Sequence, residues 1–251
     1  LIAAKRKTLF FPVRWFSIGN MFRYERPQKG RLREHYQLNV DLFGVAGTEG
    51  ETEIIKLMYE IMREFGMADT NFEIRINSRK VMNYIINTLL GQSGDAARKT
   101  AQIIDRRAKM EKEAFETALS EHFGEKDQLL LTLLNSKNFD EFISHLPKVT
   151  ELEVALQELH TVTAQLEELG ITNVVFDQCL CRGFDYYTGI VFEVFDKHPG
   201  NQRALCGGGR YDNLLDLFDV ERVPTVGFAM GDVTIRDVLQ TYDLLPKQFL
   251  P

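Results

Sequence analysis

The 251-residue sequence has no run of about 18 apolar residues, which leaves no candidate for a membrane-spanning helix. It has no basic start followed by an apolar segment and a small-residue cleavage site, so no secretory signal is read in it. It begins with Leu1 rather than Met and reads as a fragment or a processed chain. Cysteine is scarce. Cys179, Cys181 and Cys206 are an odd number and do not make a disulfide framework. The Cys179-x-Cys181 spacing would put both thiols on one face of a strand, but no second pair or nearby His completes four zinc ligands. The better reading is core cysteines in a reducing cytoplasm. None of the five histidines, His35, His122, His145, His160 and His198, stands at metal-ligand spacing, so none receives a metal or catalytic role. An excess of basic residues is also missing. The net charge of −6 argues against a general nucleic-acid binder driven by counterion release, although a local basic groove remains possible. The glycine triplet Gly207-Gly208-Gly209 meets neither the Rossmann nor the Walker spacing.

What is present is ordinary globular composition, 44% hydrophobic and 26% charged, long enough for one large domain or two smaller ones. Residues 12–24 mix Val, Trp, Phe, Ile and Met with Arg and Ser, as strands do. Residues 26–32 hold Pro27, Gly30, Arg26, Lys29 and Arg31, with Arg33 just beyond, and read as a basic loop. Residues 34–45 alternate. Tyr36, Leu38, Val40 and Leu42 fall on one face, and His35, Gln37, Asn39 and Asp41 on the other. The pattern predicts a long hairpin with a basic tip, expected in the centre of the sheet. Thr48 and Glu51 have capping-box spacing before an amphipathic helix that ends at Gly66. A strand over 71–77 and a helix from Arg79 to Leu90 follow. From Asp95 to about Pro147 charge is dense and glycine scarce, which predicts a helical insertion. A helix over 149–169 comes next. Strands are expected at 173–180, 186–195 and 202–208, a tight glycine turn opening a short helix at 207–212, a strand from Val226 to Met230 and a helix from Gly231 to Gln240. Strands that return as hairpins indicate an antiparallel sheet.

Two stretches carry side chains that a core would not use. The first is Arg182-Gly183-Phe184-Asp185-Tyr186-Tyr187-Thr188-Gly189-Ile190-Val191. Adjacent tyrosines on a strand point to opposite faces, so at least one phenol needs a polar partner or water. A plain strand with a polar lead-in fits the same residues. The second is Phe22-Arg23-Tyr24-Glu25-Arg26-Pro27-Gln28-Lys29-Gly30-Arg31. Arg23 and Glu25, two apart, can face one side, where a guanidinium suits phosphate oxygens and a carboxylate suits an amino group. An exposed Arg–Glu ladder fits as well.

Together the two stretches resemble the histidyl-tRNA synthetase family, the first its signature and the second motif 2 of the class II enzymes. The resemblance runs from about Leu1 to about Tyr242. It implies an α+β fold: a class II synthetase-like antiparallel sheet flanked by helices, with a helical insertion. Residues 1–90 and 148–251 would form the catalytic core and residues 91–147 the insertion. The motif 1 region and the C-terminal anticodon-binding domain are expected to lie outside this chain. It implies activation of histidine with ATP and Mg²⁺, transfer to tRNA(His), and a homodimer in the full-length, cytoplasmic protein. The catalytic residues would be Arg23 and Arg182. ATP would be held by Arg23, Glu25, Arg31 and Arg33, and histidine by Gln37, Asp41, Arg182, Tyr186, Tyr187 and Tyr211. No resident metal ligand is implied. One departure is Thr234, where the family commonly has an Arg. Arg236 lies about 200° away on a helix and should turn outward, which leaves Arg31 and Arg33 for the outer phosphates. A non-catalytic relative, such as a regulatory subunit of ATP phosphoribosyltransferase or a tRNA-sensing domain, is the alternative. The two intact stretches favour the enzyme.

Overall fold

Alternation of side chains sets the first pairing of the chain. In the computed structural model, which describes residues 1–28, 30–107, 110–123, 127–182 and 186–246, β1 (Val13–Phe22) and β2 (Glu34–Phe43) form the expected antiparallel hairpin. Lys29 of the tip and Gly183, Phe184 and Asp185 of the signature stretch lie outside the described residues. A short helix α1 (Ile2–Lys5) precedes the hairpin. After it come α2 (Glu49–Glu64), β3 (Phe72–Ser78) and α3 (Arg79–Asn83), continued by a π-helical turn over Tyr84–Leu89. Helices α4 (Gly94–Asp105), α5 (Lys112–Phe123), α6 (Asp127–Leu134) and α7 (Phe139–Ser144) fill the predicted helical stretch. Then follow α8 (Thr150–Glu168), β4 (Val174–Phe176), β5 (Ile190–Asp196), β6 (Ala204–Arg210), β7 (Thr225–Gly231) and α9 (Asp232–Thr241).

The seven strands make one sheet in the order β1-β2-β7-β6-β5-β3-β4. Every neighbouring pair is antiparallel except β3 and β4. The hairpin therefore sits at the edge of the sheet, not in its centre. Local alternation names the partner across a loop. It does not say which distant strand adds on the other side, and here β7 adds to β2 while β1 stays outermost. Phe16 and Ile18 of β1 are accordingly 69% and 67% exposed.

One sheet face carries the main core. Ile74 and Ile76 of β3, Phe192 and Val194 of β5 and Val226 of β7 pack on Ile55, Met58 and Met62 of α2 and on Val162 and Leu166 of α8. Each such side chain contributes about 1.5–3 kcal/mol by leaving water. A second apolar cluster joins Ile104, Phe115, Leu119, Leu133 and Phe142 of the inserted helices to Val81, Ile85 and Leu152. The inserted helices thus share their core with α3 and the first turn of α8.

Three local expectations change. The capping box at Thr48 does not form: its side chain makes no cap hydrogen bond, and Glu51 turns instead to Arg210 on β6. Gly207–Gly209 is not a turn but the middle of β6, buried between β5 and β7. Glycines have no side chains to alternate, so a strand made of them carries no period-2 signal. Cys179 and Cys181 occupy a loop and not a strand, with Cys181 buried in the second cluster. Burial holds the Cys179 thiol up to about 11, which makes it a poor nucleophile at neutral pH.

Candidate active site

The other sheet face supplies an almost bare floor. Residues directly opposite in paired strands share a face. The registers therefore put Gly207 and Gly209 of β6 beside Gly227, Ala229 and Gly231 of β7. The floor is bordered by His35, Gln37, Asn39 and Asp41 of β2 on one side and by Glu193 of β5 on the other. Over Gly207–Gly209 and Gly227–Gly231 the two central strands thus contribute to this face no side chain larger than a methyl. Polar side chains rise only from the flanking strands and loops.

Arg182 and Tyr187 lie down on this floor. A Cβ at Gly207 would run into Arg182 Nη1 and stand 2.7 Å from Glu193 Cγ. A Cβ at Gly209 would stand 2.8 Å from the Tyr187 ring. Arg182 Nε is held by Glu193 Oε1 at 2.9 Å, with the side chains 27% and 15% exposed. Its Nη1 is buried without a hydrogen-bond partner among the described residues.

The tyrosines do not point to opposite faces as a strand would send them. Tyr186 and Tyr187 precede β5, and both rings turn toward Tyr211. Tyr186 stacks on Tyr211 with centroids 4.6 Å apart, and Tyr187 meets Tyr186 edge-on at 5.0 Å. The segment is fixed beside the end of β6, because Thr188 N donates to the Arg210 carbonyl at 2.7 Å and Asp212 N donates to Thr188 Oγ1 at 3.1 Å. Tyr211 Oη donates to the Asp41 carboxylate. Burial pushes the Asp41 carboxyl above its ordinary range, partly offset by that hydrogen bond. Burial, with Tyr187 and Asp41 nearby, lifts Tyr186 to about 12. Burial likewise raises Tyr187, opposed by the charge of Arg182. All three phenols therefore stay protonated donors at neutral pH, around a carboxylate short of donors. Such a pocket suits a ligand bearing N–H groups.

Beside this cluster opens a cleft of about 880 Å³, lined by Arg23, Arg31, Gln37, Arg182, Arg203 and Thr234 among others. Arg23 Nη2 lies 2.5 Å from His35 Nε2. A guanidinium has no acceptor, so the imidazole nitrogen accepts. Gln37 Nε2 donates to Asn39 Oδ1 at 2.6 Å. Arg31 is ion-paired with Glu25 at the hairpin tip. Burial, then the neighbouring Arg23 and Arg203, lower the Arg31 guanidinium from its ordinary value. Glu25 and Arg33 are exposed and do not line the cleft, and Arg33 Nε reaches the Glu25 carbonyl at 3.4 Å. Arg236 is exposed on α9 and away from the cleft. Among the described residues no group of three His, Cys, Asp or Glu is placed to hold a metal ion.

A family model described as histidyl-tRNA synthetase matches residues 2–234 of this chain. The chain belongs to the histidyl-tRNA synthetase family. The histidine–tRNA ligase of Leptospira biflexa serovar Patoc is 37% identical over 255 residues, covering 98% of this chain and 56% of that relative. The histidine–tRNA ligase of Thermoplasma volcanium is 40% identical over 242 residues, covering 94% of this chain and 55% of that relative. The chain spans about half the length of the curated relatives it matches. The crystal structure of histidyl-tRNA synthetase from Nostoc sp. PCC 7120 superposes with a TM-score of 0.82 over 98% of this chain and 58% of that one. At 24% identity it shows the shared fold.

In this member of the histidyl-tRNA synthetase family, the two stretches that carried the resemblance converge. Arg23 and Arg31 from one, and Arg182 from the other, border the same cleft. Nothing in the sequence marked out Glu193, Arg203 or the Arg210–Glu51 pair. His35 falls on the expected face of β2, yet its spacing suggested no role for it. Gly207→Ala tests how tightly Arg182, Glu193 and the Phe192 carbonyl, 2.8 Å from an added Cβ, close on the floor. It should cost about 1–3 kcal/mol, as overpacking does, read by denaturant unfolding of the full-length protein. A cost under about 0.5 kcal/mol would mean that the floor yields and is not tightly packed.

Proposed function

We propose that the chain is the catalytic core of a histidine–tRNA ligase. The observation that supports it most is a set of three guanidinium N–H groups around one cleft. Arg23 Nε, Arg31 Nε and Arg182 Nη1 are each buried without a hydrogen-bond partner among the described residues. A buried charged donor left unpaired is costly, and a polyanion supplies the missing acceptors. The triphosphate of ATP fits that demand. Mg²⁺ is taken to arrive with the nucleotide and to neutralise its outer oxygens.

Histidine then occupies the neighbouring cluster, its imidazole between Asp41 and Tyr187 and its amino group toward Gln37. Its carboxylate oxygen attacks the α-phosphorus of ATP, the bond from that phosphorus to the bridging oxygen breaks, and pyrophosphate leaves. Histidyl-adenylate remains. The terminal ribose hydroxyl of tRNA(His) next attacks the acyl carbon, and AMP departs. No side-chain nucleophile is needed. Arg182 and Arg23 stabilise charge at the phosphorus, and the floor lets Arg182 approach it. Glu25 is proposed to accept from the adenine amino group with its exposed carboxylate once Arg31 turns from it to the phosphates. Arg33 supports the tip. The whole protein is proposed to act as a cytoplasmic homodimer.

Histidine-dependent ATP–pyrophosphate exchange by the full-length protein tests the reading. A protein that binds histidine or ATP without exchange would instead be a non-catalytic relative. Within the enzyme, Asp41→Ala should raise the KM for histidine by about 10-fold or more while the KM for ATP changes little, because it strips the imidazole of its acceptor. Equal effects on both substrates contradict the assignment of Asp41.

A further inference from the structure

The cleft has a cation that neither motif contains. Arg203 enters just before β6 and reaches across to the hairpin tip, where its Nη2 donates to Gln28 Oε1 at 2.7 Å. Its stem lies over Gly30 of the tip, which also approaches Thr234 at the start of α9. A Cβ at Gly30 would stand 2.9 Å from Arg203 Cδ and 3.6 Å from Thr234 Cγ2. Among the described residues no carboxylate pairs with Arg203, whereas Arg31 has Glu25 and Arg182 has Glu193. Thr234 brings no charge to this end, and its Oγ1 is spent on the Leu205 carbonyl at 3.2 Å.

Arg203 is also held in place. The turn before it is tied to the buried Asp196 carboxylate, which accepts from His198 N at 3.0 Å, Asn201 Nδ2 at 2.6 Å and Tyr242 Oη at 2.7 Å. Asn201 Nδ2 also reaches Thr241 Oγ1 at 3.1 Å, at the end of α9. A guanidinium on an anchored turn, near Arg23 and Arg31 and with no carboxylate ion-paired to it among the described residues, is arranged for a ligand with several negative charges. The like charges of Arg23 and Arg203 already bear on Arg31.

We propose that Arg203 holds the outer phosphates of the nucleoside triphosphate, with Arg31 as its companion, in the place where Arg33 was expected. Arg33 is exposed and does not line the cleft, while Arg203 does. The proposal rests on the cleft being the triphosphate site. The cations of the cleft then separate along the nucleotide, with Arg23 and Arg182 at the α-phosphate and Arg203 and Arg31 beyond it.

The test compares ATP and AMP binding by calorimetry in the full-length protein and its Arg203→Ala variant. Losing a hydrogen bond to a charged group should weaken ATP about 10- to 100-fold, and AMP, which lacks the outer phosphates, should be unaffected. The KM for histidine should not move, and Arg203→Lys should recover part of the ATP affinity. AMP binding also serves as the fold control for the variant. Unchanged ATP binding, or equal weakening of ATP and AMP, overturns the proposal, and so does a wild-type protein that binds no ATP. A wild-type protein that binds ATP but lacks histidine-dependent exchange sinks the ligase reading instead. The Arg203 comparison can still be read in that case.

Discussion

Arg182→Ala in the full-length protein should lower histidine-dependent pyrophosphate exchange by about 10²–10³-fold, the usual cost of removing one preorganised donor to developing charge. The expectation follows from the free Nη1 above Gly207 and from the Glu193 clasp that fixes the guanidinium. The fold should survive. Glu193 stands at the border of an open cleft, where water replaces the lost cation. Thermal unfolding should therefore shift little while turnover collapses. Near-normal exchange would remove Arg182 from the chemistry. A large drop in melting temperature would recast it as a structural residue.

Glu51→Ala should cost about 3 kcal/mol of stability, because it removes the bidentate partner of a buried guanidinium and leaves only the partly exposed Asp212 carboxylate to balance its charge. Arg210 and Glu51 are 6% and 3% exposed and joined by two bonds, Arg210 Nε to Oε1 at 2.6 Å and Nη2 to Oε2 at 2.5 Å. Burial pulls the Arg210 guanidinium down, and the hydrogen bonds and charge of Glu51 more than reverse it. The remaining partners are the carbonyls of Val45 and Gly47, both at 2.9 Å, and Asp212 at 3.3 Å. Such a loss is a large part of a typical 5–15 kcal/mol total. Replacing both residues by apolar ones, Glu51→Leu with Arg210→Met, should recover much of it. Urea unfolding of the wild type, the single variant and the double variant decides the matter. A single-variant cost below about 1 kcal/mol would mean that water already reaches the pair.

What could be read from sequence depended on whether a residue's role is local. The hairpin was legible because Tyr36, Leu38, Val40 and Leu42 alternate against His35, Gln37, Asn39 and Asp41. Helix α2 was legible because Ile54, Ile55, Met58 and Met62 recur on one face. Glu51 was misread because its partner lies 159 residues away, and no capping rule can see a guanidinium on another strand. Gly207–Gly209 was misread because a strand made of glycine has no side-chain rhythm. The gathering of Tyr186, Tyr187 and Tyr211 was implied by the resemblance alone, because a ring's direction in a loop depends on what anchors the loop, here Arg210 and Asp212. Arg203 stood alone in its neighbourhood, and only the meeting of the hairpin tip with α9 gave it company. The convergence of the two motif stretches came from the resemblance, which local chemistry alone left open.

The bare floor has a consequence for how the site can vary. Mutation at Gly207 or Gly209 can only subtract: any added atom occupies space that Arg182 or Tyr187 already fills. Drift in ligand preference is therefore channelled into the rim, where Gln37, Asn39 and Asp41 stand on one strand and the three tyrosines on loops and the end of β6. A library that randomised the rim would explore new ligands, whereas one that randomised the floor would return mostly dead proteins. The same two strands that make the site permissive to a flat guanidinium make it intolerant of genetic change.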